Sequence, residues 1–249
     1  MTLAHDVTGS GPAVLLLHST VCDRRMWDPQ VPALADAGYR VVRCDSPGFG
    51  DTPVPAGRFD EAGTVAELLD DLGIDLVSVV GASGGGRLAI EFASRWPDRV
   101  TALALLCTAL RGHEASPELE AFDEREETLL EAGDIAGAVD LNVDLWVGPE
   151  ADDATRDRVR AMQRHAFEVQ IAADNVPYEP VRVEPDPARI TAPVLLVSGA
   201  HDLPDFRDIA IHLAGQLPRA RHMHLDWAGH LPSLERPEEI NSLLIDFLP

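Results

Sequence analysis

The sequence predicts an α/β protein built on a doubly wound, mostly parallel sheet, and three observations carry that prediction. Short, nearly continuous apolar runs recur at Ala13–Leu17, Val41–Val42, Val77–Val80, Leu103–Leu106 and Val194–Val197. Apolar on both faces and rich in Val and Leu, such runs read as strands covered by helices on either side of a sheet. Helical patterns lie between them, which makes βαβ units. A glycine-flanked turn, Gly81-Ala82-Ser83-Gly84-Gly85, follows one of the strands directly and opens a helix. The 249 residues suffice for one large domain or two small ones, with enough core to need no covalent staples.

Each element has its own reason. In Thr64-Val65-Ala66-Glu67 a capping-box spacing leads into Val65, Leu68, Leu69 and Leu72, and Gly73 closes the helix. After the Ser83 turn, Leu88, Ala89 and Phe92 form the apolar side of the next helix. The alternation stops between about Arg111 and Val183. No strand is predicted there, only helical segments at Leu119–Leu130, Ile135–Trp146 and Thr155–Ala172, punctuated by Gly133 and Gly148-Pro149. Val176–Pro180 and Pro185–Pro187 read as the linker back to the sheet. The expected layout is a core of residues 1–110 and 184–249, with a helical lid at 111–183 inserted after the fourth or fifth main strand. The last helix begins at Pro237, a favoured first position, with Ile240, Leu243, Leu244, Phe247 and Leu248 on one stripe.

Charge excludes several functions. Forty-two acidic residues face 20 basic ones, for a formal net charge of −22, and every basic residue is arginine. Without lysine there is no Schiff-base amine, no Ser–Lys dyad and no lysine-bearing phosphate loop. The negative excess speaks against nucleic acid and anionic membranes as partners, and against polyanionic substrates. Three cysteines, Cys22, Cys44 and Cys107, are odd in number and lack metal-like spacing, so neither a disulfide framework nor a zinc site is expected. Met1–Val7 has no basic or apolar leader pattern, and the run Ala102–Leu110 is far short of the ~20 residues a membrane span needs. A soluble, cytoplasmic protein is the expectation.

The chemistry centres on Ser83. A serine at the tip of a tight strand-to-helix turn, with glycine two before and two after, is exposed as a nucleophile. A dinucleotide-binding turn is the rival, but Gly81-Ala82-Ser83-Gly84 lacks its glycine spacing. The hydroxyl needs a base. His230 sits in a loop between the strand-like Met223–Asp226 and the final helix, where a Ser…acid…His order places the base. His222 and His224 alternate on a strand and read as surface or packing, while His113 and His165 fall in the insertion. The acid that orients the imidazole is expected just past Val194–Val197, at Asp202, with Asp205 as the fallback. Cys107–His113, after the preceding strand, contains no carboxylate. Oxyanion donors are expected from the Gly84 N–H and from the loop His18-Ser19-Thr20.

These features together resemble the α/β-hydrolase fold superfamily. The resemblance runs from Gly9–His18 through Met26-Trp27-Asp28, Asp45–Gly50, the Ser83 turn, Gly199–Asp202 and Gly229-His230 to the C-terminal helix. It is strongest to the small esterase and lactonase branch, with its enol-lactone hydrolases and cofactor-free perhydrolases. The resemblance implies Ser83 as nucleophile, His230 as base, Asp202 as acid, and the N–H groups of Thr20 and Gly84 as oxyanion hole. It also implies that residues 111–183 are the lid that shapes specificity. No cofactor and no metal are implied.

Two departures stand out. Ser19 replaces the glycine usual after the oxyanion-loop histidine, with either an altered loop or an added hydroxyl near the site as the expectation, and the chain is expected to start at the family's second strand. Serine rather than aspartate at position 83 speaks against dehalogenation and epoxide hydrolysis. Trp146, Met162, His165, Phe167, Trp227 and Leu231 are candidates for an acyl pocket. Trp27 reads as packing beneath the oxyanion loop, and Arg24 and Arg25 as solvated surface, with contact to a substrate carboxylate as the other reading. The expected activity is hydrolysis of a small-molecule carboxylic ester or lactone. C–C bond hydrolysis of a β-diketone-like compound and a non-catalytic small-molecule receptor are the alternatives.

Overall fold

The computed structural model describes residues 2–249. Among these described residues nine strands occur in chain order: β1 (His5–Thr8), β2 (Ala13–Leu17), β3 (Arg40–Cys44), β4 (Gly57–Phe59), β5 (Val77–Ala82), β6 (Val100–Leu106), β7 (Tyr178–Pro180), β8 (Val194–Gly199) and β9 (Ala220–Leu225). Seven of them form one sheet in the order β1-β3-β2-β5-β6-β8-β9. Every pairing in it is parallel except that of the edge strand β1 with β3. The five predicted apolar runs are thus five central strands.

Helices cover both faces. They are α1 (Gln30–Asp36), α2 (Glu61–Asp71), α3 (Gly84–Arg95), α4 (Pro117–Glu131), α5 (Ile135–Trp146), α6 (Asp153–Ala172), α7 (Pro204–Gln216), α8 (Pro232–Glu235) and α9 (Pro237–Phe247). Alternate residues of each strand serve opposite faces, as the pleat requires. Leu15, Leu17, Val79, Leu103, Leu105 and Leu196 pack with residues of α2, α3 and α7. Val14, Leu16, Val80, Ala104, Leu106 and Leu195 pack with residues of α1, α9 and the helices after β6.

The parallel register aligns the strand ends. Leu17 pairs with Gly81, Ala82 with Leu106, and Leu106 with Val197. The loops after β2, β5, β6 and β8 therefore leave the same edge of the sheet, the carboxyl edge where such folds bind ligands. After β6, the fifth strand of this sheet in chain order, the chain runs through α4–α6 before returning at β8. Ala138, Val139 and Phe167 pack these helices on one another, while Phe122, Trp146, Val159 and Met162 join the core over the sheet.

Three local expectations are corrected. Helix α2 starts at Glu61 rather than after a Thr64 cap, because Asp60 Oδ1 accepts the Gly63 N–H at 3.0 Å. The Thr64 hydroxyl instead donates back to the Asp60 carbonyl at 2.9 Å, spending itself inside the first turn. The segment read as a linker contains a strand: β7 pairs in parallel with β4 in a separate two-stranded sheet, too short to show in any periodicity. Arg24 is no solvated surface residue. Half-buried, it donates to Asp6 and Asp51 and pairs with the fully buried Asp45. Arg25 pairs with Asp23 at 2.6 Å. Among the described residues no helix is long and apolar enough to cross a membrane.

Candidate active site

Ser83 directly follows β5 and caps α3 with φ 51° and ψ −117°, a backbone geometry that a non-glycine residue adopts only under constraint. Three hydrogen bonds fix it: Ser83 N–H donates to the Leu106 carbonyl at 3.0 Å, and its own carbonyl accepts from Arg87 and Ala109 N–H groups at 3.1 Å. A side chain at Gly81 would strike the Gly85 carbonyl at 2.5 Å, which is why glycine stands two before the serine. Its hydroxyl makes no hydrogen bond among the described residues, and Ser83 lines a cavity together with His230.

Behind that cavity, Asp202 Oδ2 lies 2.8 Å from His230 Nδ1, with both side chains at most 2% exposed. A carboxylate there requires the proton on Nδ1 and leaves Nε2 as the acceptor. Asp202 is itself held by the Leu203 N–H at 2.8 Å. The imidazole is clasped between Trp146 and Phe206, whose ring centroids lie 4.6 and 4.2 Å away. The His230 backbone N–H donates to the Trp146 carbonyl at 3.2 Å, tying the histidine loop to the end of α5. No hydrogen bond joins His230 to Ser83 among the described residues. Such contacts commonly tighten only when substrate binds.

The fallback acid has another partner. Asp205 Oδ1 accepts from Ser116 N–H at 2.8 Å and from His113 Nε2 at 3.0 Å. Burial pushes the Asp205 carboxyl up, but these hydrogen bonds outweigh it and hold the group below the usual carboxylate range. The two candidate acids thus serve different histidines.

On the other side of Ser83, Thr20 presses against the start of α3. A Cβ added at Gly84 would lie 2.5 Å from Thr20 Cγ2 and 3.8 Å from Thr20 N. Neither Thr20 N–H nor Gly84 N–H has an acceptor among the described residues, so both are free to serve a ligand. The loop is rigidly held: His18 Nδ1 donates to the Ser19 carbonyl at 2.8 Å and its Nε2 accepts the Ser46 N–H at 2.9 Å. Ser19 is fully buried, with its N–H on Met26 Sδ and its Oγ accepting from Val21 N–H. Trp27 is buried in the core that packs against the same loop.

The cavity encloses about 370 Å³. Of the proposed pocket residues, Trp146 and Phe167 line it. The others do not. Ser19 turns into its own loop, and Met162 and Leu231 are core. His165 Nε2 donates to the Gly50 carbonyl, outside this cavity, and Trp227 lies under the Arg236 guanidinium. His222 and His224 share the Ser198 hydroxyl. Helical spacing identifies an apolar face but not whether that face meets a neighbour or a cavity.

Two residues at the site have no sequence signature. Cys107, at φ 44°, follows β6 and places its thiol beside the dyad, donating to the Gly229 carbonyl at 3.6 Å. Cys107, Asp202 and His230 donor atoms lie within 4.8 Å of one another. A metal would need the thiolate, yet burial and the Asp202 charge push this thiol well above its usual value. The cluster fits a hydrogen-bonded acid and base better than a metal centre. Glu235 accepts the Gly229 and Leu231 N–H groups at 2.8 and 3.0 Å and so clamps the residues on both sides of His230. A carboxylate five residues after a loop histidine is too loose a pattern to notice in a sequence.

A family model described as alpha/beta hydrolase fold matches residues 12–134. The chain is 28% identical to 2-hydroxy-6-oxo-6-phenylhexa-2,4-dienoate hydrolase of Comamonas testosteroni, over 98% of this chain and 90% of that protein. Among solved structures it is similar to a hydrolase from Pseudomonas aeruginosa PA01, with a TM-score of 0.79, 29% identity, and 98% and 93% of the two chains covered. The enol-lactonase from Burkholderia xenovorans LB400 gives a TM-score of 0.80 at 26% identity, covering 98% of this chain and 95% of that one.

Proposed function

The chain belongs to the alpha/beta hydrolase fold superfamily, and from that premise we propose that it is a serine hydrolase of small-molecule carboxylic esters or lactones. The observation that carries the reading is the 2.8 Å contact of Asp202 with His230 Nδ1 on the wall of the cavity that also holds Ser83. His230 Nε2 takes the Ser83 proton as Oγ bonds to the carbonyl carbon. The electron pair displaced onto the carbonyl oxygen is met by the Thr20 and Gly84 N–H groups. The C–O bond to the alcohol breaks, and the departing oxygen receives the proton from His230. Water, deprotonated by the same nitrogen, then releases the acid and restores Ser83. Asp202 fixes the tautomer and stabilises the imidazolium throughout. Residues 111–183 act as the lid over a core of 1–110 and 184–249, supported by the cavity-lining positions of Phe122, Trp146 and Phe167.

The test is the intact-protein mass after exposure to a fluorophosphonate, with wild type beside Ser83→Ala, followed by activated acyl esters. A single adduct that vanishes in the variant, together with ester turnover, is the expected outcome. No adduct and no turnover would overturn the assignment of Ser83 as nucleophile.

A further inference from the structure

One wall of the Ser83 cavity is acidic. Asp123 and Glu126 line it from α4, one turn apart, and Asn142 Nδ2 donates to Glu126. Burial pushes both carboxyls up from their usual range, and the Asp123 charge raises Glu126 further. Phe122, Trp146 and Phe167 line the same cavity, with the first two rings edge-to-face at 5.0 Å. Gln163 lines it as well. The residue is only 4% exposed, and its Oε1 is enclosed with no hydrogen-bond partner among the described residues. Among the described residues the one arginine on the lining, Arg87, already faces Glu61 at 3.4 Å.

Carboxylates beside aromatic faces attract a cation by Coulomb and cation–π interaction together. An enclosed amide oxygen without a donor lacks the N–H that buried acceptors normally have. A net charge of −22 steers cations toward the whole molecule and repels anions. We propose, on the basis of the hydrolase reading above, that the substrate carries a protonated amine on the part that enters beneath α4–α6. Its charge is met by Asp123 and Glu126, its methylenes by the aromatic rings, and one N–H by Gln163 Oε1. Substrates with a carboxylate at that end are excluded.

Three matched p-nitrophenyl esters test this at low ionic strength: 6-aminohexanoate, heptanoate and the hydrogen adipate. The expected kcat/KM is about tenfold higher for the amine than for the neutral chain, with the acid lowest. The amine-to-neutral ratio falls several-fold in Glu126→Gln and in Gln163→Leu. A wild-type ratio at or below one, or a ratio unmoved in both variants, overturns the proposal. Calorimetric binding of hexylammonium against hexanol, to the wild type and to Glu126→Gln, decides the same point without turnover. If no ester is cleaved and Ser83 stays unlabelled, the hydrolase reading fails. Tighter binding of hexylammonium, lost in Glu126→Gln, would still uphold the ammonium site, and equal binding of the two would overturn it.

Discussion

Two aspartate–histidine pairs stand three residues apart at the end of β8, and they are built for different work. Asp202 meets His230 at 2.8 Å and Asp205 meets His113 at 3.0 Å, each carboxylate only 1% exposed. Judged on distance and burial of the acid they are equals. They differ in where the histidine goes. His230 is 2% exposed, clasped by two aromatic rings, and opens its remaining nitrogen to the cavity of Ser83. His113 is 26% exposed, lies away from that cavity, and shares its carboxylate with the backbone N–H of Ser116, the cap of α4. A short histidine–carboxylate contact is therefore a structural motif first, and it becomes chemistry only when the second ring nitrogen meets a nucleophile.

The sharpest way to break this comparison is to neutralise each acid in turn. Asp202→Asn should lower kcat by as much as ~10⁴ by favouring the wrong tautomer, whereas Asp205→Asn should leave it within about tenfold. The reverse order in steady-state kinetics would show that the two pairs have been assigned the wrong way round. Next in size is Glu235→Ala, which leaves the Gly229 and Leu231 N–H groups buried without acceptors. A cost of about 1–3 kcal/mol for each orphaned group is expected. Chemical denaturation should show it, together with a lower kcat as the His230 loop loosens. Smaller again is the effect of Asp205→Asn on stability, about 1–3 kcal/mol, or a few degrees in Tm.

That last difference should also depend on pH. The folded Asp205 carboxyl is held below its unfolded value, so the fold favours the ionised form. Its contribution is complete above the unfolded value and disappears as pH falls through the lower, folded one. Denaturation curves of wild type and Asp205→Asn should therefore converge on acidification. A gap that stays constant into strong acid would mean that the carboxylate charge plays no part in the contact between α7 and the segment leading into α4.

Strand identity was legible because both faces of a buried parallel strand must be apolar, and the Ser83 turn because its Gly-x-Ser-x-Gly spacing shows in the sequence. Only Gly81 is enforced by a neighbour in the turn, the Gly85 carbonyl, while Gly84 and Gly85 are enforced by Thr20 and by Leu17 at the end of β2. Its place just past β8 put Asp202 ahead of Asp205 as the partner of His230, but nothing in the sequence paired Asp205 with His113. The two aspartates flank Leu203-Pro204 at the start of α7, and whether a side chain turns toward His230 or His113 depends on chains that arrive from elsewhere in the fold. The pocket was read only in part for the same reason. Trp146 and Met162 look alike on their helices, yet one borders the cavity and the other fills core. Cys107 and Glu235 left no mark at all, since each acts through backbone atoms that carry no residue signature.

The three cysteines are buried, with the Cys44 thiol pushed up to about 12 by burial and by Asp45. The native protein should thus be silent to mild thiol reagents, because little thiolate forms and none is accessible. That silence makes the molecule a clean background for spectroscopy. A cysteine introduced at the exposed Ile171 on α6 and another at the exposed Leu76 before β5 would be the only two sites to take a spin label. The distance between the two labels would then report directly whether α6 moves relative to the sheet when a substrate enters.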